Sequence, residues 1–276
     1  MKKTRYDILL TAIMILVTIA FVMPIFIVAM NSVKGQFYIS TFPFSFPNRE
    51  TFVGLDNYRN GIIKTDFFRA IGYSFWITVA STALILLCTS MTAWFLQRWE
   101  TKLSKVLFYL FIFSMIVPFQ MVMFTMSKMA NLLYLENPLG IVLIYLGFGA
   151  GLSIFLYNGF IYGIPKSLEE AAEIDGCTPV RMFFSVIFPL LKPISTTAAV
   201  LNAMWIWNDY LLPYLIIGTK YKTLPVAVQY LQGGYGSRDM GALMAMLVLA
   251  IIPIILFYAL AQKHVIRGVI AGAVKE

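Results

Sequence analysis

Charge is what this 276-residue sequence has least of: Asp, Glu, Lys and Arg together make up 12% of it. That share excludes an ordinary water-soluble domain, whose sequence carries about twice as much. Histidine occurs once, at His264, which leaves histidine-bearing catalytic triads and zinc sites almost nothing to build from. The two cysteines, Cys88 and Cys177, read as small apolar residues, one in an apolar run and one in a loop. They imply neither a disulfide framework nor a metal site. No G-x-x-x-x-G-K-S/T phosphate loop occurs, so the polypeptide does not itself bind and hydrolyse ATP in the usual manner. A serine in a G-x-S-x-G setting and paired aspartates within apolar runs are missing too, which sets an enzyme aside.

Apolar residues supply what charge does not, at 60% of the sequence, with 16% aromatic and a mean hydropathy of +0.80. Crossing a bilayer as a helix takes roughly 20 apolar residues, because backbone groups find no water there. Residues 8–30, 71–95, 106–127, 138–165 and 240–262 are uncharged throughout. A sixth run, 193–219, is interrupted by Asp209, which would cost roughly 2.5 to 3.5 kcal/mol at mid-membrane if it faced lipid. Trp205, Trp207 and Tyr210 fit an interfacial or pore-lining stretch in which it does not. The expectation is an all-α integral membrane protein with six transmembrane helices. Lys2, Lys3 and Arg5 before the first run look like the start of a signal peptide. The run is too long and lacks a small-residue cleavage site, so it reads as a retained anchor. Twelve Lys and Arg fall on the side of the two termini and nine on the other, which favours cytoplasmic termini. The net charge of +8 needs no nucleic-acid partner. Gly147 with Gly151, and Gly159 with Gly163, have the four-residue spacing that permits close helix packing.

Residues 165–192, between the fourth and fifth spans, read as two short helices. Ser167 is placed to cap the first, with Glu170 reaching back in a capping box, and Glu169 and Glu170 suit the positive end of the helix dipole. Gly176 ends that helix. Thr178 and Pro179 supply a cap and a first helical proline for the next, which Pro189 is expected to stop. Physics alone is satisfied equally by a hairpin that closes a loop and by one that docks.

Glu170-Ala171-Ala172, then Gly176, then Val186-Ile187-Phe188-Pro189 resemble the EAA loop of ABC importer permeases, whose pattern ends in Ile-x-Leu-Pro. Val186 and Phe188 replace Ile and Leu and remain apolar. Trp207-Asn208-Asp209-Tyr210-Leu211-Leu212-Pro213, Thr223-Leu224-Pro225-Val226 and the tail Gly272-Ala273-Val274-Lys275 are similar to the carbohydrate branch, and to its maltose-type second permease. The resemblance covers nearly the whole chain. It implies a type I ABC importer permease fold with cytoplasmic N- and C-termini, in a bacterial cytoplasmic membrane. It also implies a second permease, two ATPase subunits that use ATP and Mg, an extracytoplasmic sugar-binding protein and no cofactor on this chain. In that family the loop is a coupling helix lying in an ATPase groove, which assigns the contact to Glu170, Ala171, Ala172, Gly176, Val186 and Pro189. The tail would reach between the ATPases through Val274 and Lys275.

Within the spans, sugar-binding ingredients concentrate at Trp205, Trp207, Asn208 and Asp209. Interfacial anchoring and the satisfaction of broken backbone before Pro213 explain the same residues. Residues 218–239 read as a mobile outer loop rich in Gly and Tyr, and the resemblance assigns Gln232, Gly233, Gly234 and Tyr235 to contact with the binding protein. Residues 42–58 read as an irregular outer segment. The expected division is an N-terminal anchor helix with its outer segment (1–69), a five-helix core (70–265) containing the loop 165–192, and a tail (266–276). An ATP-independent secondary transporter or channel is the alternative, for which Asp209 is the lone intramembrane charge.

Overall fold

The computed structural model describes residues 5–233 and 238–273, with side chains over 6–233 and 238–259. In chain order the helices are α1 (Arg5–Asn31), α2 (Gln36–Thr41), α3 (Asp56–Thr65), α4 (Phe67–Arg98), α5 (Lys102–Ile116), α6 (Phe119–Leu132) and α7 (Pro138–Ile161). There follow α8 (Ser167–Ile174), α9 (Pro179–Met182), a π-turn (Phe183–Ile187), α10 (Phe188–Leu190), α11 (Lys192–Asn208) and α12 (Leu211–Ile216). The last are α13 (Leu224–Gln229), a 3-10 turn (Tyr230–Gln232) and α14 (Met240–Ala273). Extended pairing among the described residues is confined to one bridge between Lys34 and Phe52.

Among the described residues, four helices are long and apolar enough to cross a membrane: Tyr6–Asn31, Phe67–Arg98, Pro138–Ile161 and Met240–Ala259. Two bent pairs bring the number to six if each counts as one span. The expected third span is one of these bent pairs, since α5 and α6 meet at 104°. The cause is local. Pro118 has no N–H to continue the helix and drives Val117 into extended backbone (φ −71°, ψ 116°). The other bent pair is Pro179–Leu190 with Lys192–Asn208, at 78°. The expected sixth run therefore begins with the second helix of that pair, and it is broken again at Asp209 into α11 and α12.

The contacts divide the chain into two units. One comprises Met1–Ala70 with Leu224–Ile255. Its α1 exposes apolar side chains from residue 6 to residue 26, as a lipid-facing helix does. Buried Asn57 donates to the carbonyls of Ser32 and Lys34, both at 2.8 Å, and pins the end of the α1 segment to α3. Lys34 is fully buried, and its Nζ donates to the Phe42 carbonyl at 3.0 Å; burial lowers its pKa. Residues expected to form a mobile outer loop are partly ordered here: Leu224, Val226, Ala227 and Val228 of α13 are buried because their apolar side chains have a core to enter.

The other unit comprises Ile71–Thr223 with Leu256–Glu276. Asn137 opens α7 by accepting from the amides of Leu139 (3.1 Å) and Gly140 (3.0 Å), with Pro138 at the first helical position. One cluster joins Ile77 and Ile85 of α4, Ile141 and Tyr145 of α7, and Ile206 of α11. Of the four expected packing glycines only Gly151 packs closely: a Cβ there would lie 2.6 Å from the Phe111 carbonyl of α5. Gly147 and Gly159 face open space, and Gly163 meets only its own turn, at 3.5 Å.

Candidate functional site

The hairpin after α7 is built from its turn residues. Gly176 sits at φ +73°, a conformation that L side chains rarely adopt, and terminates α8. Thr178 is extended (φ −68°, ψ 155°) and its hydroxyl accepts from the Arg181 amide at 3.4 Å, with Pro179 next in line. Two expectations are corrected. Ser167 makes no cap bond, because Lys166 is already helical (φ −62°, ψ −27°) and Ser167 therefore lies inside the helix rather than at its extended entry. Nor does Pro189 stop the second helix. It lies inside α10, reached through the π-turn, and the chain bends by 78° before α11.

Along α8, Glu170, Ala171, Glu173 and Ile174 are exposed, Ile174 by 87%. Ala172 is buried at 6% and Glu169 half-buried, so the two faces of this eight-residue helix differ sharply. Below lies a core formed by Trp94, Ala172, Met182, Phe183, Ile187 and Leu191, against which Val186 packs. Pro189 is exposed.

The sequence did not disclose what holds α8. Arg98 Nε donates to Glu169 Oε1 at 2.7 Å, Trp94 Nε1 donates to Glu169 Oε2 at 3.1 Å, and Arg98 Nη2 donates to the Ile164 carbonyl at 2.9 Å. Arg98 lies 71 residues from Glu169, beyond the reach of any local pattern.

A second group forms where α11 breaks. Asp209 Oδ1 accepts from the amides of Leu211 (3.0 Å) and Leu212 (3.4 Å), which caps α12, and Oδ2 accepts from the Tyr145 hydroxyl at 3.0 Å. Trp205 meets Tyr145 edge-on with ring centroids 5.4 Å apart. Trp207 is half-buried, and exposed Asn208 donates back to the Met204 carbonyl of its own helix. The structure therefore brings Trp205 and Asp209 together around Tyr145, a residue that sequence reading passed over.

Of the outer-loop residues, Gln232 accepts from Gln229 Nε2 at 3.2 Å and Gly233 adopts φ +94°. Gly234 and Tyr235 lie outside the described residues, as do Val274 and Lys275. Just beyond, Asp239 caps α14 by accepting from the Ala242 amide at 2.9 Å and pairs with Lys64 at 2.6 Å. Burial pushes the Asp239 carboxyl up, but the Lys64 and amide hydrogen bonds outweigh it and hold the pKa below the usual carboxylate range.

Long apolar helices and two bent helix pairs define a multi-pass membrane protein. The chain belongs to the family described as "Binding-protein-dependent transport system inner membrane component", whose model matches residues 85–271. It is 39% identical over 269 residues to the probable starch degradation products transport system permease protein AmyC of Thermoanaerobacterium thermosulfurigenes, covering 97% of each chain. It is 35% identical over 266 residues to the multiple sugar-binding transport system permease protein MsmG of Streptococcus mutans, covering 93% of each. Its fold is similar to a chain in the crystal structure of a bacterial ABC transporter involved in the import of the acidic polysaccharide alginate. That match has a TM-score of 0.78 at 19% identity and covers 94% of this chain and 98% of that one.

Proposed function

We propose that this chain is one of two permease subunits of an ATP-driven sugar importer in a bacterial cytoplasmic membrane, serving an oligosaccharide. The observation that carries the reading is the hairpin of α8 and α9, whose inner face is anchored while Glu170 and Ala171 stand free. Its free face would dock on one of two partner ATPases, which bind ATP and Mg; this chain catalyses nothing. The names of the relatives above, one for starch degradation products and one for multiple sugars, support a carbohydrate cargo.

In this reading the six spans leave both termini in the cytoplasm, and Val274 and Lys275 reach toward the ATPases. The path runs past Trp205, Trp207, Asn208 and Asp209, and a second permease completes it. Gln232 to Tyr235 meets the extracytoplasmic sugar-binding protein. Closure of the ATPases tilts the helices as rigid bodies through the hairpin.

The test is affinity purification of the intact chain in mild detergent, followed by mass spectrometry and an ATPase assay with oligosaccharide-binding proteins. Recovery of an ATPase and a second permease, with sugar-stimulated hydrolysis, is expected. Recovery of the chain alone, with transport persisting after ATP depletion, would assign it to secondary transport instead.

A further inference from the structure

We propose that Glu169 is a positioning residue of the hairpin: with Arg98 and Trp94 it locks α8 to the last turn of α4, so that a movement imposed on α8 turns α4 with it. This role rests on the coupling reading above and supplies the joint which that reading requires.

Each oxygen of the Glu169 carboxylate has its own donor, Arg98 Nε on Oε1 and Trp94 Nε1 on Oε2. The second arm of the guanidinium holds the Ile164 carbonyl, three residues beyond the end of α7. One ion pair thus fastens three segments: the end of α4, the exit of α7 and the start of α8. The side chains of Arg98 and Glu169 are only 8% and 14% exposed, so solvent screens the pair little. Lys166 and Glu100 bridge the same neighbourhood at 3.7 Å, but at 60% and 66% exposure. An open pair of that kind contributes little and fixes no orientation.

One turn further along α8, buried Ala172 shares a core with Trp94 and Phe183, whose rings lie 5.6 Å apart. The tie and the apolar seat are three residues apart on one helix face, so α8 neither slides nor tilts independently of α4. Apolar contacts of similar volume would hold the segments together at least as strongly. A planar guanidinium with two directed bonds adds fixed direction, which a mechanical linkage needs.

The first measurement needs no partner. Spin labels at Met91→Cys on α4 and Ile174→Cys on α8, with Cys88 and Cys177 replaced by alanine, give a distance distribution for the full chain in detergent. One narrow distribution is expected for the parent, broadened by Glu169→Gln, which keeps the packing, and by Trp94→Phe, which removes the indole donor together with part of the ring packed on Phe183. Identical distributions in all three overturn the joint.

The second measurement uses the purified importer in liposomes. Glu169→Gln is expected to leave the ATPase attached and to lower sugar moved per ATP by roughly five- to tenfold, with partial rescue by Glu169→Asp. An unchanged ratio overturns the transmission role, and so does loss of ATPase attachment, which would put Glu169 on the docking face. Absence of any ATPase with the parent chain defeats the coupling reading itself, an outcome distinct from failure of the joint alone.

Discussion

At the scale of single residues, two glycines in one helix make opposite predictions. A Cβ at Gly151 would sit 2.6 Å from a backbone carbonyl of α5, which has no flexible end to move aside, whereas a Cβ at Gly147 meets nothing within 4 Å. Gly151→Ala is expected to lower unfolding stability in detergent by roughly 1 to 3 kcal/mol, while Gly147→Ala, free of any clash in a helix interior, is expected to raise it by roughly 0.5 to 1 kcal/mol. A thermal melt of the two variants reads the difference directly. In the hairpin, Gly176→Trp strains a residue at φ +73° and adds bulk beside the free face of α8, and Glu170→Lys reverses a charge on that face. Both variants are expected to insert normally and to recover less ATPase in a pull-down. Normal recovery with both would count against docking through α8.

Among elements, the start of α14 shows how a cap and an ion pair combine. The folded pKa of Asp239 lies below its ordinary value, so its contribution is fully present above the usual carboxylate range and is lost as pH falls through the lowered value. Stability should therefore begin to fall near about pH 5, where an ordinary aspartate begins to protonate, and continue to fall through the lowered value. The Asp239→Asn variant should show a smaller drop in melts run from pH 7 down to pH 3. Sequence reading succeeded on the hairpin where a residue acts through its own backbone: Gly176 takes the left-handed turn, and Thr178 and Pro179 open α9. It failed at Ser167, because capping needs an extended residue and Lys166 is already helical. The bend between α5 and α6 was hidden for another reason. An uncharged run reads the same whether straight or folded, and Pro118 alone decided between them. Glu169 was noticed only for the helix dipole, since its true partners lie at the far end of another helix.

For the whole molecule, the proposed function requires the two termini and the hairpin to lie on the cytoplasmic side. In intact cells, with both native cysteines replaced, a membrane-impermeant maleimide is expected to label Arg49→Cys and to spare Ile174→Cys until the membrane is opened and the peripheral ATPases are stripped away. The reverse pattern would invert the topology and remove the hairpin from the ATPase side. The division of labour across α8 has a further consequence for how such transporters diversify. If the proposed docking holds, grip and anchorage are divided between residues of one eight-residue helix, with Glu169 and Ala172 turned inward and Glu170, Ala171, Glu173 and Ile174 exposed. The outward letters are thus free to be rewritten as a set without disturbing the chassis. Grafting them from a related permease should transfer the choice of motor while leaving the cargo route untouched.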